Sequence, residues 1–253
     1  MKKQKKLLVL ILFVLGGIIN ISAQNQPIKN VVLVHGAFVD GSGWESVYQI
    51  LTQKGYKVFV TQHTLRNLDD DIIDVNRIIN QLDGPCILVG HSFGGVIISE
   101  AGNNPKVKGL VFVAAHAPES GEMRSQLVKK YPSAYKSLIK GSDGFDYILP
   151  EKFPEDFAAD LPLDKARFMA YSQIPTADIA FHTPIQNPAW KNKPNWYLIA
   201  SADRIINPDL ERFYALRAKS KKIVEVAGAS HAVYTSRPKE VTELIEEAIF
   251  YFK

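Results

Sequence analysis

The sequence predicts an α/β fold with a mostly parallel central sheet, helices on both faces and a small helical cap. Three observations point to it. The chain has 253 residues, 46% hydrophobic and 22% charged, which is enough apolar material for one sizeable core. From Ile28 onward, short runs rich in Val and Ile alternate with longer stretches of helical period, the pattern of parallel strands joined by crossover helices. The strand candidates are nearly all unbroken apolar runs, as strands covered on both faces require. The same composition excludes disorder, and a single cysteine excludes a disulfide scaffold.

The N-terminus reads as a leader. Lys2, Lys3, Lys5 and Lys6 precede an apolar run from Leu7 to Ile19 that ends near the small residues Ser22 and Ala23, the layout of a secretory signal peptide. That run falls short of the roughly 20 residues that span a bilayer. Removal of residues 1–23 is therefore expected, with export to the periplasm or the exterior and no stable membrane association afterwards. Ile21 is larger than the residue usual three positions before a cut, and an uncleaved anchor is the alternative. Thirty Lys and Arg against 26 Asp and Glu give +4, but the leader holds four of the cations and no acid, so 26 face 26 in the remainder. A balanced charge predicts no nucleic-acid partner.

The remainder, 24–253, reads as a single domain. Strands are expected at Val31–Val34, Lys57–Thr61, Ile87–Gly90, Gly109–Ala114, Trp196–Ala200 and Lys222–Val226. Helices are expected at Trp44–Lys54, stopped by Gly55, at Asp69–Leu82, with Ile72, Val75, Ile79 and Leu82 on one face, and at Val96–Ala101. The acidic run Asp69, Asp70, Asp71 opens a helix, where carboxylates favour the positive end and are solvated. Cys86, inside an apolar run, is expected to be a core residue. Nine prolines between Pro118 and Pro194 break the alternation over about 116–193, which reads as a cap of short helical pieces such as Leu163–Tyr171 over one end of the sheet. Its aromatics, among them Phe145, Tyr147, Phe153, Phe157, Phe168, Tyr171 and Phe181, either wall an apolar pocket or pack the cap onto the sheet.

The strongest chemical signal is Gly90-His91-Ser92-Phe93-Gly94-Gly95, directly between a strand and a helix. A turn this sharp strains the serine backbone and exposes its hydroxyl, and side chains at Gly90 and Gly94 would collide with the adjoining elements. A serine hydroxyl needs a base, and the base needs an orienting acid. His231 follows one later strand and Asp203 another, in the chain order expected for a serine nucleophile on this kind of sheet. Backbone donors for an oxyanion are expected from Phe93 and from Ala37 in His35-Gly36-Ala37-Phe38, with Phe38 the fallback. His35, Phe38, Trp44 and His116 are candidate substrate contacts, with Gly41, Gly43 and Trp44 shaping a pocket floor. His91 is expected to pack beside the elbow, and His63 and His182 at the surface or a pocket rim. No pair of histidines has metal-ligand spacing, and no metal site or cofactor is expected.

The combination Val32–Phe38, Gly41–Trp44, Val89–Gly95, Ala114-Ala115-His116-Ala117-Pro118 and Ser230-His231-Ala232 resembles the α/β-hydrolase superfamily. More narrowly it is similar to bacterial esterases akin to plant methyl-salicylate esterases and hydroxynitrile lyases. The resemblance implies a triad of Ser92, Asp203 and His231, oxyanion donors Ala37 and Phe93, no cofactor, and a small-molecule ester as substrate. The lyases carry a threonine after the oxyanion-loop histidine and a lysine after the catalytic histidine. Here those positions are Gly36 and Ala232, which favours ester hydrolysis. Lyase chemistry, and a ligand-binding protein with little turnover, are the alternatives; a monomer and a dimer both remain open.

Overall fold

A computed structural model describes residues 27–253; the expected leader, residues 1–23, lies outside the described residues. The strands β1 (Asn30–Val34), β2 (Lys57–Val60), β3 (Cys86–His91) and β4 (Val107–Val113) come first. A cap then contributes β5 (Leu138–Lys140), β6 (Phe145–Ile148) and β7 (Thr176–Ala177), after which β8 (Asn195–Ala200) and β9 (Ile223–Val226) complete the central sheet. That sheet has six strands in the order β2-β1-β3-β4-β8-β9, and every neighbouring pair is parallel. The chain leaves β1 toward one edge and returns on its other side as β3. This reversal opens a crevice at the carboxyl ends of β1 and β3, where sheets of this type place their chemistry.

Alternation along the strands divides the core. Val31 and Leu33 face a cluster built with α1 (Glu45–Gln53) and the C-terminal helix, while Val32 and Val34 face a cluster built with α2 (Leu68–Gln81) and α3 (Gly94–Ala101). All four are fully buried, each contributing about 1.5–3 kcal/mol of transfer free energy. Cys86 lies in the second cluster, and burial pushes its thiol up to about 12, so it acts as a core side chain.

The cap contains α4 (Arg124–Lys130), α5 (Phe153–Asp156), α6 (Leu163–Tyr171) and α7 (Asp178–His182), but it is not only helical. Strands β5, β6 and β7 form an antiparallel sheet of their own. Strands of two to four residues between prolines are too short to show a period, so the pattern could not separate them from loops. Phe153 and Phe157 are buried and stacked 4.6 Å apart, fastening the cap, whereas Phe168 and Tyr171 project into solvent from α6. Three further helices follow the cap: α8 (Pro208–Arg217), α9 (Val233–Ser236) and α10 (Pro238–Phe250).

The acidic run departs from expectation at one residue. Asp69 and Asp70 are exposed at the start of α2, and the Asn67 side chain accepts the Asp70 N–H at 2.8 Å as an N-cap. Asp71 turns inward, is fully buried, and accepts the Leu65 N–H at 2.9 Å. Leu65 has a left-handed backbone, φ 55°, and its carbonyl accepts the Ala177 N–H of β7. Asp71 therefore supports the loop on which the cap docks. Burial pushes its carboxyl up to about 7.

A pH dependence follows. Unfolded Asp71 loses its proton near pH 4, whereas the folded residue keeps it to about pH 7, so its contribution to stability declines across that window as pH rises. The Asp71→Asn variant keeps the acceptor and has no proton to lose. Its melting temperature relative to wild type should climb between pH 4 and 7, by on the order of 5 °C, and level off above; a margin independent of pH would contradict the assignment.

Candidate active site

Ser92 sits at the turn between β3 and α3 with φ 53°, a left-handed conformation unusual for a residue with a Cβ. The surrounding backbone holds it there. Its N–H points to the carbonyls of Val113 and Ala114, and its carbonyl accepts the N–H groups of Gly95 and His116 at 3.0 and 3.1 Å. A Cβ on Gly90 would lie 2.6 Å from the Gly94 carbonyl oxygen, and one on Gly94 would lie 2.6 Å from that of Val34. Only glycine lets the strand, the turn and the end of β1 approach this closely.

The serine hydroxyl lies 2.8 Å from His231 Nε2, and His231 Nδ1 lies 2.5 Å from Asp203 Oδ2. Asp203 Oδ1 accepts the N–H groups of Ile205 and Ile206 at 2.7 and 2.9 Å, which fixes the carboxylate after β8. His231, between β9 and α9, is fully buried; its ring meets the edge of Phe157 at 4.7 Å, and its carbonyl accepts from His91 Nε2 at 2.9 Å. With Nδ1 donating to the carboxylate, Nε2 is left to accept the serine proton. Residues far apart in sequence thus form a hydrogen-bonded Ser-His-Asp array at the carboxyl ends of three strands.

The N–H groups of Ala37 and Phe93 have no acceptor among the described residues. The Phe38 N–H is engaged, donating to Thr176 Oγ1 of β7 at 3.2 Å, which removes the fallback donor and ties this loop to the cap.

A model of the alpha/beta hydrolase family matches residues 31–244. The chain belongs to that family. It is 26% identical to a pyrethroid hydrolase of Sphingobium wenxiniae over 88% of each chain. It is also 22% identical to an alpha-hydroxynitrile lyase of Arabidopsis thaliana over 83% of this chain and 93% of the other. The solved structure of a methylesterase from Arabidopsis shares the fold, with a TM-score of 0.71 at 18% identity over 88% of this chain and all of the other.

The hydrolase chain places its remaining candidate residues differently. His116 and Phe93 line a pocket with Val96, Met123, Arg124 and Phe181, and Phe38 packs against Phe181 at 5.7 Å. His116 also meets the Tyr214 hydroxyl at 3.3 Å. Trp44 and His35, the other two candidate contacts, do not line this pocket. Trp44 lies on the other face of the sheet, fully buried against Tyr234 and His91. His35 is stacked at 3.6 Å on His63, which is itself buried, not at a surface or rim. His35 Nδ1 donates to the Gly36 carbonyl at 3.0 Å and Nε2 accepts the His63 N–H at 3.4 Å; burial lowers it to about 4, so it stays neutral and shapes the oxyanion loop from beneath. His182 is exposed at the pocket rim. Gly41 and Gly43 pack tightly against the Thr61 backbone and the Tyr234 ring, respectively.

Sequence reasoning missed Glu211. This residue of α8 is fully buried and accepts the Ala200 N–H at 3.2 Å through Oε2, while its Oε1 has no hydrogen-bond partner among the described residues. Burial, reinforced by the Asp203 charge, holds its carboxyl well above the usual carboxylate range. Both effects favour the protonated form of Glu211 beside the acid of the array. Helical spacing alone gives a Glu within α8 no reason to face inward, so no local signal marked it.

The array should respond as one unit. Asp203→Asn removes the charge while keeping the shape, and a loss in kcat on the order of 10⁴ is expected by analogy with the serine-protease triad. Because both residues act through the same proton transfer, Asp203→Asn combined with His231→Ala should cost little more than His231→Ala alone. Additive losses in steady-state assays of the double variant would show that one of them works elsewhere.

Proposed function

We propose that the protein is an exported serine hydrolase that cleaves a small to medium carboxylic ester with an apolar or aromatic body, through an acyl-enzyme on Ser92. The observation that carries this reading is the continuous chain from Ser92 Oγ through His231 to Asp203, with two unengaged backbone N–H groups beside the serine. His231 Nε2 takes the hydroxyl proton as Oγ attacks the ester carbonyl. The oxyanion of the tetrahedral intermediate is met by the N–H groups of Ala37 and Phe93, fixed before reaction begins. His231 then returns the proton to the departing alcohol, and water repeats the sequence to release the acid. The apolar lining from Phe93, Val96, Met123 and Phe181 supports an apolar substrate body. Export rests on the lysine-led apolar segment before residue 24.

Two positions speak against lyase chemistry. A Cβ on Gly36 would lie 2.6 Å from the Ser92 Cβ and 2.9 Å from the His91 carbonyl oxygen, so a threonine there would need the backbone to move. Ala232, after the histidine, is fully buried and supplies no cation for a cyanide leaving group.

Chromogenic esters of graded acyl length, assayed with wild type and Ser92→Ala without added metal or cofactor, test the reading. Wild type should turn over the short activated esters, and the variant should lose on the order of 10⁴-fold or more in kcat. Full activity in Ser92→Ala, or cyanide release from an aromatic cyanohydrin with no ester turnover, would overturn it.

A further inference from the structure

We infer that Arg124 is the anion-binding end of the pocket beside Ser92, and that the ester hydrolysed there carries a free carboxylate on the part that fills this pocket. The inference rests on the hydrolase reading of that site and adds the class of substrate.

The pocket walls are mostly apolar, yet Arg124 stands among them with no hydrogen bond and no ion pair to the other described residues. Its guanidinium lies over the Phe181 ring, 4.5 Å from the centroid, so the aromatic face fixes the planar group and the N–H edges stay open. The acids that might neutralise it are committed elsewhere. Glu122, on the same wall, forms a two-pronged pair with Arg217 at 2.7 and 2.8 Å. Asp178 pairs with Lys140 at 3.1 Å and with His182 at 3.2 Å. Asp146 is buried without an ion pair, and that burial pushes its carboxyl up, toward the neutral form. His116, between Arg124 and the elbow, is kept neutral chiefly by its own burial and further by the Arg124 charge. Among the described residues the pocket therefore holds a fixed cation without a counter-ion, on the same cavity wall that includes Phe93.

A cation removed from much of its water and left unpaired is unfavourable until an anion arrives. A guanidinium presents parallel N–H groups that match a carboxylate in two hydrogen bonds, each stronger than a neutral one. An apolar body with one carboxylate, such as a half-ester of a dicarboxylic acid or an ester of a hydroxybenzoate, satisfies both the walls and the charge.

Matched ester pairs and a binding measurement test this with the mature protein. The 4-nitrophenyl monoester of glutaric acid is compared with 4-nitrophenyl pentanoate, and 4-butyryloxybenzoate with phenyl butyrate. In at least one pair the charged-to-neutral ratio of kcat/KM should fall by roughly 10- to 100-fold in Arg124→Met, mainly through KM, with Arg124→Lys between the two. Benzoate or glutarate should raise the melting temperature of wild type and do so far less in Arg124→Met, a readout that needs no turnover. Unchanged ratios in both pairs together with equal melting shifts in all three proteins would overturn the inference. If Ser92-dependent turnover of the neutral esters persists in that case, the hydrolase reading stands. If no ester is turned over at all, that reading falls and the melting shifts alone decide the role of Arg124.

Discussion

The whole site hangs on one close approach of backbone to backbone. Ser92 is held with a left-handed backbone because β3, the first turn of α3, the end of β1 and the segment after β4 meet with no side chain between them at Gly90, Gly94 and Gly95. A residue with a Cβ in that region is strained by about 1–2 kcal/mol, and it persists because four backbone hydrogen bonds around Ser92 over-determine it. The strain places the hydroxyl at the sheet end and leaves the Phe93 N–H unengaged. The same packing brings Gly36 against Ser92, so that the neighbouring Ala37 N–H is presented from the β1 side. The placed Ser92 hydroxyl and the two unengaged N–H groups are thus consequences of a single steric constraint.

Around that point, environment sorts similar side chains into different roles. His35, His63, His91 and His116 are all buried without a carboxylate partner, and burial holds each of them neutral. His231 alone among the buried histidines meets a carboxylate. Asp203 faces the imidazole, whereas Glu211 lies behind it, where its own burial, with the Asp203 charge added, holds its carboxyl well above the usual carboxylate range. His91 and His35 hydrogen-bond to the carbonyl groups of His231 and of Gly36, and the His91 ring also packs 4.7 Å from that of His231. They are positioning residues: their loss would blur the geometry without removing a reacting group.

Legibility in the sequence followed how local each determinant is. The four inner strands of the central sheet show as apolar runs because burial on both faces imposes a pattern within a few residues, the edge strands β2 and β9 show as short β-branched runs though they are partly exposed, and α6 is found at its expected limits, Leu163–Tyr171. The elbow is legible because its steric requirement falls on neighbours within two residues. The partners of Ser92 could be named because each follows a strand of recognisable type. What escaped depends on contacts distant in sequence. His35 in its loop and Trp44 in the 3-10 turn before α1 both lie close to the site along the chain, but the side of the sheet each one faces is decided by His63 and by Tyr234. Asp71 looks like its two neighbours until Leu65 needs an acceptor, and Glu211 looks like any helix acid until Ala200 and Asp203 surround it. The β5–β7 sheet is stabilised by pairing with no period long enough to read.

The central claim is that this geometry makes Ser92 the nucleophile, and covalent capture tests it most directly. Wild type treated with a 4-nitrophenyl phosphonate should gain the mass of one phosphonyl group with release of one equivalent of nitrophenolate, and peptide mapping should place the adduct on Ser92. His231→Ala should slow the labelling by orders of magnitude, because the hydroxyl then has no base. Adduct on another residue, or labelling at an equal rate in Ser92→Ala, would contradict the account.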